Sequence, residues 1–374
     1  MNVVREIDSI TSLLRQKGQL RGAVIQGLDL SKISSEDLSW EEVDCEETVF
    51  LGCQFPENLT VCELSRRGAL VFPEFPSLPY NPYRPSLYSR DELMEGWSDE
   101  KDESVDLRIY ERFAASGREN PHVMEALAMR LHDHAIDDAL ADLLEGRVEG
   151  DGVKKVVGIM GGHSMGRDRV EFAEVVRVAW RLAQEGYFVA TGGGPGIMEA
   201  GNLGAYLANE SREDLEWAIS HLAQSPKYFD ENYSRLALDV IERFPTGTSS
   251  LAVPTWFYGH EPTNWFSVHV AKYFSNSLRE DGLLAIATHG VIYAKGSAGT
   301  TQEVFMDACQ NHYATFKFLS PMVFLGSDWF GEKTGIYDVV YRQAEGKAYQ
   351  EQLALLDEAD ATVEFIRKNP PRLE

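Results

Sequence analysis

The chain has 374 residues, 44% of them hydrophobic and 25% charged, enough for one large domain plus an accessory region or for two domains. Its 59 acidic and 35 basic residues leave a formal charge of −24, which repels nucleic-acid backbones and anionic membranes and argues against a polymeric nucleic-acid partner. A mononucleotide stays open, because backbone N–H groups can hold a phosphate with little help from net charge.

The opening, MNVVREIDSITSLLRQKGQL, lacks the apolar core and cleavage site of a secretory signal, and no run is long and apolar enough for a membrane span. Cys45, Cys53, Cys62 and Cys309 make no C-x-x-C pair, so neither a zinc site nor a disulfide framework is indicated; a reducing cytoplasm is the expected setting. Between residues 22 and 55 a faint five-residue period gives Ile25 and Leu30, and then Phe50 and Phe55, equivalent positions. The pattern is similar to pentapeptide repeats, but two broken fragments point instead to a few short strands covering the main domain. Residues 71–88, rich in proline and tyrosine, read as an extended, ordered arm, with Arg84 a candidate phosphate contact.

From Pro121 a helical pattern places Val123, Leu127, Leu131, Ile136, Leu140 and Leu143 on one side and stops at Gly146. His134 and Asp138 stand one turn apart on it, a spacing that a solvated helix face explains better than a metal pair. The stretch EGDG then marks a boundary, giving an N-terminal accessory region at 1–150 and a second domain at 151–374.

Beyond Gly152 strands and helices alternate. KKVVGIMGG is a buried strand running into a glycine turn, residues 169–185 form a helix with Phe172, Val175, Val176, Ala179 and Leu182 inward, and YFVATGGG is a second strand and turn. SLAVPTWF, GVIYAKG and PMVFLG are later strand candidates, and the chain closes on an amphipathic helix. Such alternation predicts an α/β fold: a Rossmann-like, doubly wound parallel sheet with helices on both faces.

Two segments carry the chemistry. In TGGGPGIMEAGNLGAYLA, glycines 192–194 follow a strand and Pro195 takes the first helical place, where it loses no hydrogen bond. Backbone and helix terminus together suit an anion, assigning binding to Gly193, Gly194, Pro195 and Gly196, with Met198 and Glu199 as further candidates. The dinucleotide fingerprint fails, since its next glycine falls on Ile197, and no cofactor or metal is assigned. In GVIYAKGSAGTTQEVFMDA, a strand again enters a small-residue turn, Gly296-Ser297-Ala298-Gly299-Thr300, where Thr300 and Thr301 can cap the helix or bind a phosphate oxygen. Glu303 follows in the first turn, placed for chemistry or simply for the helix dipole. Neighbouring parallel strands are expected to bring the two turns around one phosphate. Gly162, His163, His260 and Glu261 are further candidates, and the aromatic run from Trp256 through Tyr258 to Trp265 suits a core or dimer interface better than base stacking.

Together V-G-I-M-G-G, T-G-G-G-P-G-I-M-E-A and G-S-A-G-T-T-Q-E resemble the Lonely Guy (LOG) family, formerly called lysine decarboxylases, over roughly residues 153–368. The resemblance implies a modified Rossmann fold, a homodimer or larger oligomer, and a phosphoribohydrolase that cleaves nucleoside 5′-monophosphates to free base and ribose 5-phosphate. It assigns Glu303 to the carboxylate beside the sugar and Arg279, one residue out of register, to the family's catalytic arginine. Two departures stand against it: Lys295-Gly296-Ser297 replaces the family's P-G-G, and Gln302 replaces the first of its two acids. The alternative is a module that senses or carries a nucleotide through the same phosphate site without cleaving it.

Overall fold

Residues 2–17, 19–33, 40, 43–118, 120–260 and 264–373 are described in a computed structural model of the chain, which divides into two compact units, 1–86 with 119–139 and 87–118 with 140–374. Residues 87–118 and 140–150, expected in the accessory region, group with the second unit.

The first unit is built on β1 (Asn2–Val4), α1 (Ile7–Lys17), β2 (Ala23–Gln26), β3 (Val49–Leu51), α2 (Val61–Arg66) and β4 (Leu70–Phe72). The four strands form one parallel sheet in chain order. Asn2 pairs with Ala23, Val24 with Val49 and Val49 with Leu70, so each coil takes about 21 to 25 residues. Stacking of this kind lets each short coil bury an apolar face that it could not bury alone. The five-residue spacing seen in the sequence is one piece of this longer repeat. Ile25 pairs with Phe50 in the sheet, Leu30 N donates to Gln54 O on the next coil, and Phe55 meets Phe50 edge to face at 5.2 Å.

The second unit contains β5 (Tyr88–Ser89), α3 (Arg90–Met94) and α4 (Val105–Ala115). The boundary at 139/140 falls inside α5 (Val123–Leu144). Ile136, Leu140 and Leu143 of that helix are buried as its periodicity requires, whereas Val123 and Leu127, expected on the same face, are exposed. His134 and Asp138 lie 3.7 Å apart on a solvated face.

The main run follows: β6 (Val156–Met160), α6 (Val170–Gln184), β7 (Phe188–Thr191), α7 (Ile197–Tyr206), α8 (Arg212–Leu222), α9 (Tyr233–Arg243), β8 (Leu251–Ala252), β9 (His269–Val270), α10 (Asn276–Ile286), β10 (Val291–Tyr293), α11 (Ala298–Tyr313), β11 (Phe318–Leu319), β12 (Met322–Leu325), α12 (Ile336–Gln343), β13 (Leu353–Leu356), α13 (Ala359–Lys368) and β14 (Arg372–Leu373). Its eight-stranded sheet has the order β13-β12-β10-β6-β7-β8-β9-β5, parallel except where β5 pairs with β9. Strands buried on both faces are continuous apolar runs, as in VVGIM of β6, and α6 turns Phe172, Val175, Val176, Ala179 and Leu182 into the core. This is the α/β, Rossmann-like architecture.

One expectation about the sheet is corrected. The strands that carry the two glycine-rich turns, β7 and β10, are not neighbours, because β6 lies between them. The chain winds from β6 outward to β9 and returns to β10 on the other side of β6, so its order reverses at that strand.

Candidate functional site

Three turns meet at the carboxyl ends of β10, β6 and β7. Gly162 N donates to Lys295 O, and Ile197 N to Gly162 O, so the β6 turn is tied to both flanking turns. They surround a cleft of about 430 Å³. Of the predicted residues, Gly162, His163, Gly193, Gly194, Met198, Arg279, Ser297, Ala298, Gly299, Thr300 and Glu303 line it.

Two glycines are dictated by close approach. A Cβ on Gly192 would stand 2.3 Å from Arg279 Nη2, and one on Gly296 would stand 2.1 Å from Thr300 Oγ1. The helices leaving the outer turns, α7 behind Gly196 and α11 behind Ser297, have no side-chain cap on their first amides. The first amide of α7, Ile197 N, is taken by Gly162 O, whereas Ala298, Gly299 and Thr300 at the start of α11 line the cleft, as an anion needs. Behind the β7 turn a buried network fixes the backbone: Gly193 N donates to Thr191 Oγ1, Thr191 Oγ1 to Asn202 Oδ1, and Asn264 N to Gly193 O.

Arg279 comes from α10. Its Nε donates to Val253 O at 2.7 Å and its Nη1 lies 3.6 Å from Glu303 Oε1, with 11% and 13% of the two side chains exposed. Burial pushes the Glu303 carboxyl up to about 7; Arg279 opposes the rise and Glu280 adds to it. Glu280 also lines the cleft, and Gln302 Nε2 donates to its Oε2 at 2.8 Å. The second carboxylate of the cleft therefore comes from α10, one residue after Arg279, and not from the α11 motif.

Other candidates lie elsewhere. Pro195 and Gly196 belong to the β7 turn but do not line the cleft, nor does Thr301, which lies inside α11 and donates from Oγ1 to Ser297 O. Gly296 faces a second chamber together with Gly162. Glu199 is fully buried and held by Arg167, which donates to both carboxylate oxygens, and by the Tyr233 hydroxyl at 2.5 Å. His260 is 3.7 Å from Asp106, a buried carboxylate that accepts from Trp256 Nε1 and Lys272 Nζ; burial lowers the histidine below its ordinary range. Glu261 lies outside the described residues. Trp256 and Trp265 are core residues, whereas Tyr258 lines the cleft and accepts from Asn276 Nδ2. Arg84, in the first unit, is buried and donates to Ser86 O.

No protein-family model matches this chain, and no curated protein matches it. Among solved structures it is similar to the molybdenum cofactor binding protein from the phototrophic bacterium Rippkaea orientalis, at 13% identity and a TM-score of 0.38 over 57% of this chain and 96% of that one. The Moco carrier protein from Chlamydomonas reinhardtii matches at 14% identity and a TM-score of 0.37, over 57% of this chain and 96% of that one.

Sequence reasoning missed Glu280, Tyr293 and Asp307. The Tyr293 hydroxyl of β10 donates to Asp307 Oδ2 at 2.7 Å, Asn311 Nδ2 donates to Asp307 Oδ1, and Ser320 N donates to Asn311 Oδ1. This chain of bonds seats α11 on the sheet, and burial raises the Asp307 carboxyl to about 7. A signal was present: Glu303, Asp307 and Asn311 recur every four residues, a polar stripe along one face of a helix that must pack inward. Among the described residues no group of three or more His, Cys, Asp or Glu side chains could hold a metal ion, and no helix is long and apolar enough to cross a membrane.

Proposed function

We propose that the cleft binds a nucleoside 5′-monophosphate and hydrolyses its N-glycosidic bond, releasing free base and ribose 5-phosphate. The observation that carries this reading is the pairing of Arg279 with Glu303 on the wall of a cleft lined by the glycines of the β6 and β7 turns and the start of α11. Ser297 and the first turn of α11, Ala298 to Thr300, hold the 5′-phosphate, with Gly193 and Gly194 on the opposite wall. Loss of the base builds positive charge on the ribose, so a carboxylate beside the sugar stabilises the transition state. With a carboxyl midpoint of about 7, Glu303 takes up or releases a proton near neutral pH, as activating the attacking water requires. Arg279 holds sugar or phosphate oxygens with the planar fork that Val253 O fixes in place. The likeness to the Lonely Guy motifs supports this assignment, and Glu280 takes the place of the acid that Gln302 lacks.

A second reading, a carrier or sensor that holds its ligand intact, is favoured by the amide at Gln302, where the Lonely Guy motif has an acid. One experiment separates the two. The purified chain is incubated with a panel of nucleoside 5′-monophosphates while free base and bound ligand are measured together. Base release that disappears in Glu303→Gln supports hydrolysis, tight binding without release supports the carrier, and absence of binding overturns both.

A further inference from the structure

The reversal of strand order at β6 opens a crevice between the ends of β6 and β10, the place where open α/β sheets take ligands. Besides the cleft, a second chamber of about 450 Å³ lies there, and Gly162 and Ser297 line both. The two differ in charge. The cleft sets Arg279 against Glu280 and Glu303, whereas the second chamber sets Arg169 and Lys295 against Glu171. In a chain of net charge −24, two cations line this chamber against one lining carboxylate, with Asp168 Oδ1 3.8 Å from Arg169 Nε.

Lys295 Nζ lies 3.1 Å from Glu171 Oε1 and 5.2 Å from the centre of the Trp329 ring. An ammonium has three donors, so one bond to Glu171 leaves capacity for another acceptor. Arg169 is the N-cap residue of α6 and offers its first amides no side-chain acceptor. Trp329 stands in a π-helical turn, Asp328–Lys333, a rare backbone form that occurs frequently at functional sites.

We propose that this second chamber binds a further phosphoryl group where the ligand carries one, so that nucleoside 5′-diphosphates and their derivatives enter the same site and bind it more tightly than the monophosphates. The inference rests on the phosphate reading of the cleft: with the first phosphoryl at the Ser297 turn, the next reaches past Ser297 towards Lys295 and Arg169. Calorimetric titration of the full chain with adenosine 5′-monophosphate, adenosine 5′-diphosphate and inorganic pyrophosphate tests it. The diphosphate should bind at least tenfold tighter than the monophosphate, and this ratio should fall below twofold in Lys295→Gln/Arg169→Gln. Equal affinities in the unaltered chain, or a ratio that survives in the double variant, overturn the proposal. If neither nucleotide binds, the reading of the cleft fails and pyrophosphate decides alone: binding weakened at least tenfold by the double variant upholds the second chamber, and any other result removes it.

Discussion

Gln302 reaches from α11 to α10, its Nε2 donating to Glu280 Oε2 across 2.8 Å. The amide thus holds a carboxylate at the cleft edge, beside the buried acid that follows it in sequence. Two carboxylates and one guanidinium share the cleft, and their coupling makes the first predictions electrostatic.

Glu303→Gln should stabilise the fold at alkaline pH. The folded-state carboxyl titrates at about 7 against an ordinary 4.5, so from pH 4.5 to 7 the native state holds more protons than the unfolded state and stability falls as pH rises. Removing the group restores about 3 kcal/mol at pH 8 and nothing at pH 4. Urea unfolding at the two pH values measures this; an equal effect at both would show that burial does not govern the group.

Glu280→Gln should lower the Glu303 midpoint, since Glu280 is a like charge that raises it. Carbon NMR of the Glu303 carboxyl across pH 4 to 9 reads the change directly, and base release, if present, should shift its pH profile the same way. A midpoint that stays at its original value contradicts the arrangement.

Gly296→Ala and Gly299→Ala should part company although three residues separate them. An added Cβ at Gly296 meets Thr300 Oγ1 at 2.1 Å, whereas at Gly299 it meets nothing within 4 Å. The first substitution should cost about 1–3 kcal/mol and weaken nucleotide binding. The second, inside α11, should be neutral or stabilise by up to about 1 kcal/mol. Thermal melts with and without ligand distinguish them.

Arg167→Met strands the Glu199 carboxylate in the core with only the Tyr233 hydroxyl to bond it. A loss of about 3–5 kcal/mol is expected, with part of it recovered in Arg167→Met/Glu199→Met, because the penalty belongs to the unpaired charge. Chemical denaturation of the single and double variants tests this, and a single-variant loss below about 1 kcal/mol would falsify it.

Much of the second unit was legible from sequence because periodicity reports burial. The runs of β6 and β7 are apolar without interruption and the inward face of α6 repeats at helical spacing, so strand, helix and turn could each be placed. Sheet order left no such trace: β6, β7 and β10 all read as buried strands, and nothing local says that β6 separates the other two. In the first unit a coil of about 21 to 25 residues passed for a five-residue period, because short coils share few identical positions. Of the site, the turns and Glu303 were read from their own segments, whereas Arg279 came only from the family resemblance. Glu280 was not accessible, since its meeting with Gln302 depends on how α10 packs against α11. Glu199 was named for its motif, but only the fold reveals Arg167, thirty-two residues earlier, as its partner.

Glycines 161, 162, 192, 193 and 194, which present only main chain, line one part of the cleft. Main-chain groups do not mutate, so such a lining outlasts change in the side chains around it. Substitutions at Lys295 or Gln302 would therefore alter the rim of the cleft and leave its main-chain lining in place.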